Sequence, residues 1–198
     1  MRRSWSLAAV LLFGAVSTAS GQDHARLAAR LDPGRPPGSN LIVSVVNLLD
    51  DPQWIDELNK AYVIHLHWRV TLWKSQFPFD TRQAPVEWDD FLQQVPVMDV
   101  FRYTERVPGR RDATLQFSTL DSLKAYAGGE VRPLMPRRLS PGKWYYTVDL
   151  TISIATDAEY GSRGGTDPGG FFQRLILGVG PSDVLPTATT APFVVPNP

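Results

Sequence analysis

Two long segments of strict alternation constrain this chain more than any other feature of its sequence. Over 64–72, Ile64, Leu66, Trp68, Val70 and Leu72 alternate with His65, His67, Arg69 and Thr71. Over 144–154, Trp144, Tyr146, Val148, Leu150, Ile152 and Ile154 alternate with Tyr145, Thr147, Asp149, Thr151 and Ser153. Successive side chains of a strand leave on opposite faces, so a sustained period of two specifies a strand with one apolar and one polar side. Strands of this kind demand a sheet whose apolar side is covered, and turn-linked strands with one polar face are antiparallel.

The remaining segments fit around those two strands. Alternation over 25–31 and the apolar run 41–49 flank a turn-rich stretch, as in a hairpin-like pair. Asp51 before Pro52 reads as an N-cap followed by the first helical position, and Trp54, Leu58 and Ala61 or Tyr62 recur at helical spacing. Over 86–95, Trp88, Phe91, Leu92 and Val95 fall at i, i+3, i+4 and i+7 behind the acids Glu87, Asp89 and Asp90, which predicts a second short helix stopped by Pro96. Strands are expected over 97–107 and 113–117, on either side of a turn at 108–111. A third helix is expected where Ser118 and Asp121 form a capping box, Leu120, Leu123 and Ala127 make an apolar stripe, and Gly128 with Gly129 closes the last turn.

The fold class these patterns predict is mainly β: an antiparallel β-sandwich with two or three short peripheral helices. Trp54, Trp68, Trp88 and Trp144 fall on its buried faces, whereas Trp73, Tyr145 and Tyr103 are expected at the surface.

The two ends read differently. Arg2 and Arg3, an apolar run over 5–16 and small residues up to Gly21 have the make-up of a secretory signal peptide over residues 1–21, cleaved before Gln22. That apolar run is shorter than the ~20 residues a membrane-spanning helix needs, so no transmembrane segment is expected once the signal is removed. A globular domain is expected over 22–156, and a flexible tail rich in Gly, Pro and Thr over 157–198. The chain contains no cysteine, which excludes disulfides, thiolate metal ligands and attachment of a lipid through cysteine. Its 20 basic and 20 acidic residues cancel, and loss of Arg2 and Arg3 would leave 18 against 20. Nothing in that balance favours nucleic acid as a partner.

Candidate chemistry is sparse. His65 and His67 lie on one side of one strand, where two imidazoles can approach a single metal ion. A third ligand is missing from the local sequence and Arg69 brings positive charge, so no metal or other cofactor is expected, with His65 and His67 the only candidates. Asp50 with Asp51, and Asp89 with Asp90, are adjacent acids accounted for by helix N-termini rather than by acid-base chemistry. Gly161 to Gly165 is no nucleophile elbow, and the glycines of 164–170 lack the Gly-Lys-Ser/Thr ending of a phosphate loop. With no catalytic motif, no catalytic residue is assigned. Trp73 and Tyr145 as exposed aromatics, with Arg69, are the candidate binding surface.

The succession of parts also resembles a known family. It runs from signal peptide and strand pair, through a helix ending near Ala61, to an alternating strand ending in Leu72-Trp73-Lys74. It continues with Phe101-Arg102-Tyr103 and with Leu115 to Phe117 leading into Ser118-Thr119-Leu120-Asp121-Ser122-Leu123, and closes on Leu139-Ser140-Pro141-Gly142-Lys143-Trp144-Tyr145. It resembles the bacterial exported family catalogued as domain of unknown function 4390, over Arg26 to about Thr156. The stretch 76–96 and the part after Asp157 depart from the family pattern. The resemblance implies an envelope protein with no known activity, of a family whose genes often lie beside those of membrane sensor kinases. The reading that results is a non-enzymatic exported binding or adaptor module of the periplasm or cell envelope, its partner an envelope or membrane protein. The alternatives are a periplasmic modulator of a membrane sensor kinase and a metal-dependent or glycan-active enzyme.

Overall fold

A computed structural model describes residues 25–133, 135, 139–155 and 182–197. The expected signal peptide and most of the stretch joining the domain to its C-terminal segment lie outside the described residues. In chain order the elements are β1 (Arg26–Leu31), β2 (Leu41–Val46), α1 (Pro52–Asn59), β3 (Ile64–Ser75), β4 (Thr81–Arg82), β5 (Val86–Val95), a 3-10 turn (Pro96–Met98), β6 (Val100–Arg106), β7 (Ala113–Phe117), α2 (Leu120–Ala127), β8 (Gly142–Ile154), β9 (Ser182–Val184), β10 (Ala188–Thr189) and β11 (Phe193–Val195). Every named strand pairing is antiparallel, and the strands form two sheets. β1 and β2 make the small sheet; the other nine make the large one, with a main order of β10-β8-β3-β5-β6-β7. The fold is the mainly β, sandwich-like architecture that the alternation predicts.

The two alternating segments are the centre of the large sheet. β3 and β8 pair over twelve residues from Ile64 opposite Ile154 to Ser75 opposite Lys143. Leu66, Trp68, Val70 and Leu72 of β3 and Trp144, Tyr146, Val148, Leu150 and Ile152 of β8 are all buried. They share one core with Leu41, Val43 and Val45 of β2, Trp54 and Leu58 of α1, and Leu123 and Ala127 of α2. The small sheet and the two helices are therefore the lid that covers the apolar side of the large sheet.

Local chemistry fixes both helices. Asp51 caps α1 by accepting a hydrogen bond from the Gln53 N–H at 2.9 Å, with Pro52 in the first turn. The helix ends in a Schellman motif, with Ala61 N–H donating to Leu58 O and Tyr62 N–H to Glu57 O, and Ala61 in the left-handed region at φ 62°. α2 is capped by the Thr119 hydroxyl, which accepts from Ser122 N–H, one residue later than the Ser118 capping box expected.

Three expectations fail. The segment 86–95 is a strand, not a helix: Val86, Trp88, Asp90 and Leu92 lie toward the core while Glu87, Asp89, Phe91 and Gln93 lie on the other face. The helical spacing of Trp88, Phe91 and Leu92 was a coincidence of a strand buried on both sides, in which apolar residues are not confined to alternate positions. Second, the C-terminal segment is not an unpacked tail throughout. β9, β10 and β11 all pair with β8, and Thr190 exchanges hydrogen bonds with the Tyr146 backbone. Without them one side of a long central strand would be an open edge. Third, Tyr103 is buried, opposite Leu92 and Leu115.

Candidate functional site

The side of the large sheet facing away from the two helices and the small sheet carries the polar residues. Along β3 these are His65, His67, Arg69, Thr71 and Trp73, and the register gives each its neighbours. His67 stands between Asp89 and Thr151, Arg69 between Glu87 and Asp149, and Trp73 beside Tyr145.

The densest cluster is at the His65 and His67 end. His65 Nε2 lies 2.7 Å from Asp89 Oδ1 and His67 Nδ1 lies 2.8 Å from the same oxygen. Both distances are those of charge-assisted hydrogen bonds in which an imidazole N–H donates to a carboxylate. The potential ligand atoms of His65, His67 and Asp89 all lie within 4.8 Å of one another. Phe91 stacks on His65 with ring centroids 4.8 Å apart and planes 8° from parallel, which fixes the orientation of that imidazole. Burial works to raise the Asp89 pKa, but hydrogen bonds and charge from His65 and His67 outweigh it and hold the carboxyl down at about 2. Asp89 is thus an anion 5 % exposed, between two imidazoles.

The two guanidinium groups nearest this cluster carry carboxylates of their own. Arg69 Nε is 2.8 Å from Glu87 Oε1, and Arg106 pairs with Asp112 at 3.2 Å while its guanidinium lies over the Phe91 ring at 4.8 Å. The positive charge that counted against a cation site in the sequence is therefore locally balanced.

The opposite end of β3 is aromatic. Trp73 and Tyr145 stack with centroids 6.3 Å apart and planes 7° from parallel. Trp73 Nε1 donates to Thr147 Oγ1 at 3.0 Å, and the Tyr145 hydroxyl donates to Asp80 Oδ2 at 2.8 Å. Asp80 also accepts the Gln76 N–H at 3.1 Å, so one carboxylate closes the 76–80 loop on itself and ties it to β8. The Tyr145 hydrogen bond, followed by that of Gln76, lowers the Asp80 pKa. On this braced loop Phe77 is 99 % exposed and Phe79 80 %.

The structure thus stacks Trp73 on Tyr145, both half-buried rather than exposed, and sets Arg69 on the same face in an ion pair. It joins His65 and His67 to a third group, Asp89, that sequence reasoning assigned to a helix N-terminus. Reading 86–95 as a strand pairing with β3 would have found it. Phe77 and Phe79 were also missed; the signal available was two large apolar residues inside a turn-like segment, where no strand or helix could bury them.

No family model, no curated protein and no solved structure matches this chain. No helix among the described residues is long and apolar enough to cross a membrane.

Proposed function

We propose that the chain is a non-enzymatic binding module exported to the bacterial cell envelope, and that it holds an envelope or membrane protein through the aromatic end of its large sheet. The observation that carries this reading is the exposure of Phe77 and Phe79, 99 % and 80 %, on a loop that Asp80 braces against Tyr145. Two phenylalanines held in water by a structured loop are costly to solubility and gain nothing for the fold, whereas burying such rings in a partner is worth ~1.5–3 kcal/mol each. Rigid aromatic anchors with a polar surround are also the residues that dominate interface energies. Trp73 and Tyr145 form the base of this patch, and exposed Arg82 lies opposite Trp73 in the β3–β4 pairing as part of its polar rim. Export is supported by the basic, apolar and small-residue succession of residues 1–21.

The test is a photo-crosslinking amino acid placed at Phe79 and, as a control, at Val97, which is 97 % exposed and apolar but lies in the turn at the other end of β5. In the producing cell, position 79 should give an adduct of one defined mass and position 97 should give none. The same adducts from both positions, or none from 79, would contradict the reading.

A further inference from the structure

We infer that His65, His67 and Asp89 form a binding site for a divalent cation of the zinc class on the polar face of the large sheet. The three side chains supply two imidazole nitrogens and a carboxylate oxygen, a donor set suited to borderline divalent ions. They are set by backbone register rather than by loops: His65 and His67 are two residues apart on β3, and His67 lies directly opposite Asp89 on β5. Sites on paired strands are held more precisely than sites on loops. The three donor atoms already lie within 4.8 Å of one another.

Metal binding requires all three side chains to adjust. A tetrahedral ion at ~2.0–2.1 Å from its ligands holds them about 3.3 Å apart. His65 Nε2 and His67 Nδ1 stand 2.7 and 2.8 Å from Asp89 Oδ1 and within 4.8 Å of each other, so the carboxylate has to back away by roughly half an ångström while the two imidazole nitrogens draw together by up to about 1.5 Å, through rotation of the side chains. Neutral imidazoles ligate through these same two nitrogens once their protons reside on His65 Nδ1 and His67 Nε2, so the ion replaces two hydrogen bonds with two coordinate bonds. Phe91, stacked on His65, limits how far that ring can turn away. The cluster is reachable, with the His65 and His67 side chains 11 % and 22 % exposed. Three protein ligands leave a further coordination position for water or a group from a partner. This site does not depend on the aromatic docking surface at the other end of β3.

Cobalt(II) added alone is the probe, because its visible bands distinguish four- or five-coordinate sites from the hydrated ion. His24, the one other histidine in the chain, is replaced in every sample by H24A, and no polyhistidine tag is used. The expected result is one equivalent of cobalt bound with intense visible bands, displaced by one equivalent of zinc. Affinity should fall by at least about tenfold in both H67A and D89N, since groups that merely support a metal site already have effects of that size. Circular dichroism monitors folding of each variant; D89N keeps the shape of the side chain, so it carries the comparison if H67A fails to fold. Absence of the bands in the H24A chain at saturating cobalt, or equal affinity in a folded variant, overturns the site.

Discussion

Asp89 and Asp90 are neighbours in the chain, on opposite faces of β5, and their carboxyl groups are pushed in opposite directions. Asp90 is 1 % exposed among core residues; burial first, then the charges of Glu105 and Asp89, raise its pKa to about 7 against hydrogen bonds from Tyr103 and Trp68. The Trp68 indole donates at 2.8 Å to Oδ2, while Oδ1 has no partner. Between pH ~4 and 7 the folded chain holds a proton that the unfolded chain has released, so the stability linked to Asp90 is full below the unfolded value and is lost as pH rises through about 7. A shift of this size corresponds to about 4 kcal/mol. D90N, which cannot ionise, should therefore gain on the wild type as pH rises from 5 to 8 in thermal melts; parallel curves would refute it. Asp89 has the reverse sign. Its pKa is depressed to about 2, so its contribution is present above the unfolded value of 3.8 and is lost as pH falls through about 2.

The strands divide into those whose sequence announces them and one that hides. β3 and β8 were legible because their apolar faces alternate without a break, and the inward set Trp144, Tyr146, Val148, Leu150 and Ile152 is buried as that pattern demands. β5 was not, because it buries apolar side chains on both faces, Trp88 and Leu92 on one and Phe91 on the other. The loss of Asp89 from the candidate site followed from the same misreading. Ile152, 1 % exposed, should tolerate lysine poorly: the substitution forfeits ~1.5–3 kcal/mol of burial and places an unpaired charge in the core at a cost of several more. Thr151 lies on the polar face of β8, yet it is 8 % exposed between His67 and Val184, so T151K should lower stability measurably and by less than I152K. Equal loss in melts of the two variants would mean that neither face of β8 is favoured. Ending the chain at residue 181 removes β9, β10 and β11 together with the Asp183 carboxylate that accepts from Trp54 Nε1 at 3.3 Å. That truncated chain should melt well below the full chain or aggregate through the exposed side of β8, and an unchanged melting temperature would show the segment to be dispensable.

Across the whole molecule, one sheet has a face that folds the chain and a face that is free to do chemistry. The two helices and the small sheet cover the first, and the sequence patterns that built them were strong because they answer to burial. The second face obeys no such periodicity. Its content depends on which strands become neighbours, and two groups such as His67 and Asp89, separated by more than twenty residues, meet only through the β3–β5 register. The aromatic tip was invisible for a different reason: exposure of Phe77 and Phe79 runs against the hydrophobic rule from which a core is read. That exposure is the centre of the functional account, and replacing both rings by serine while photo-crosslinking from Arg82 tests it most directly. The account predicts that F77S/F79S melts like the wild type, because neither ring contributes to the core, and forms no adduct in the producing cell. An adduct as intense as that of the wild type, from a variant equally well folded, would contradict it.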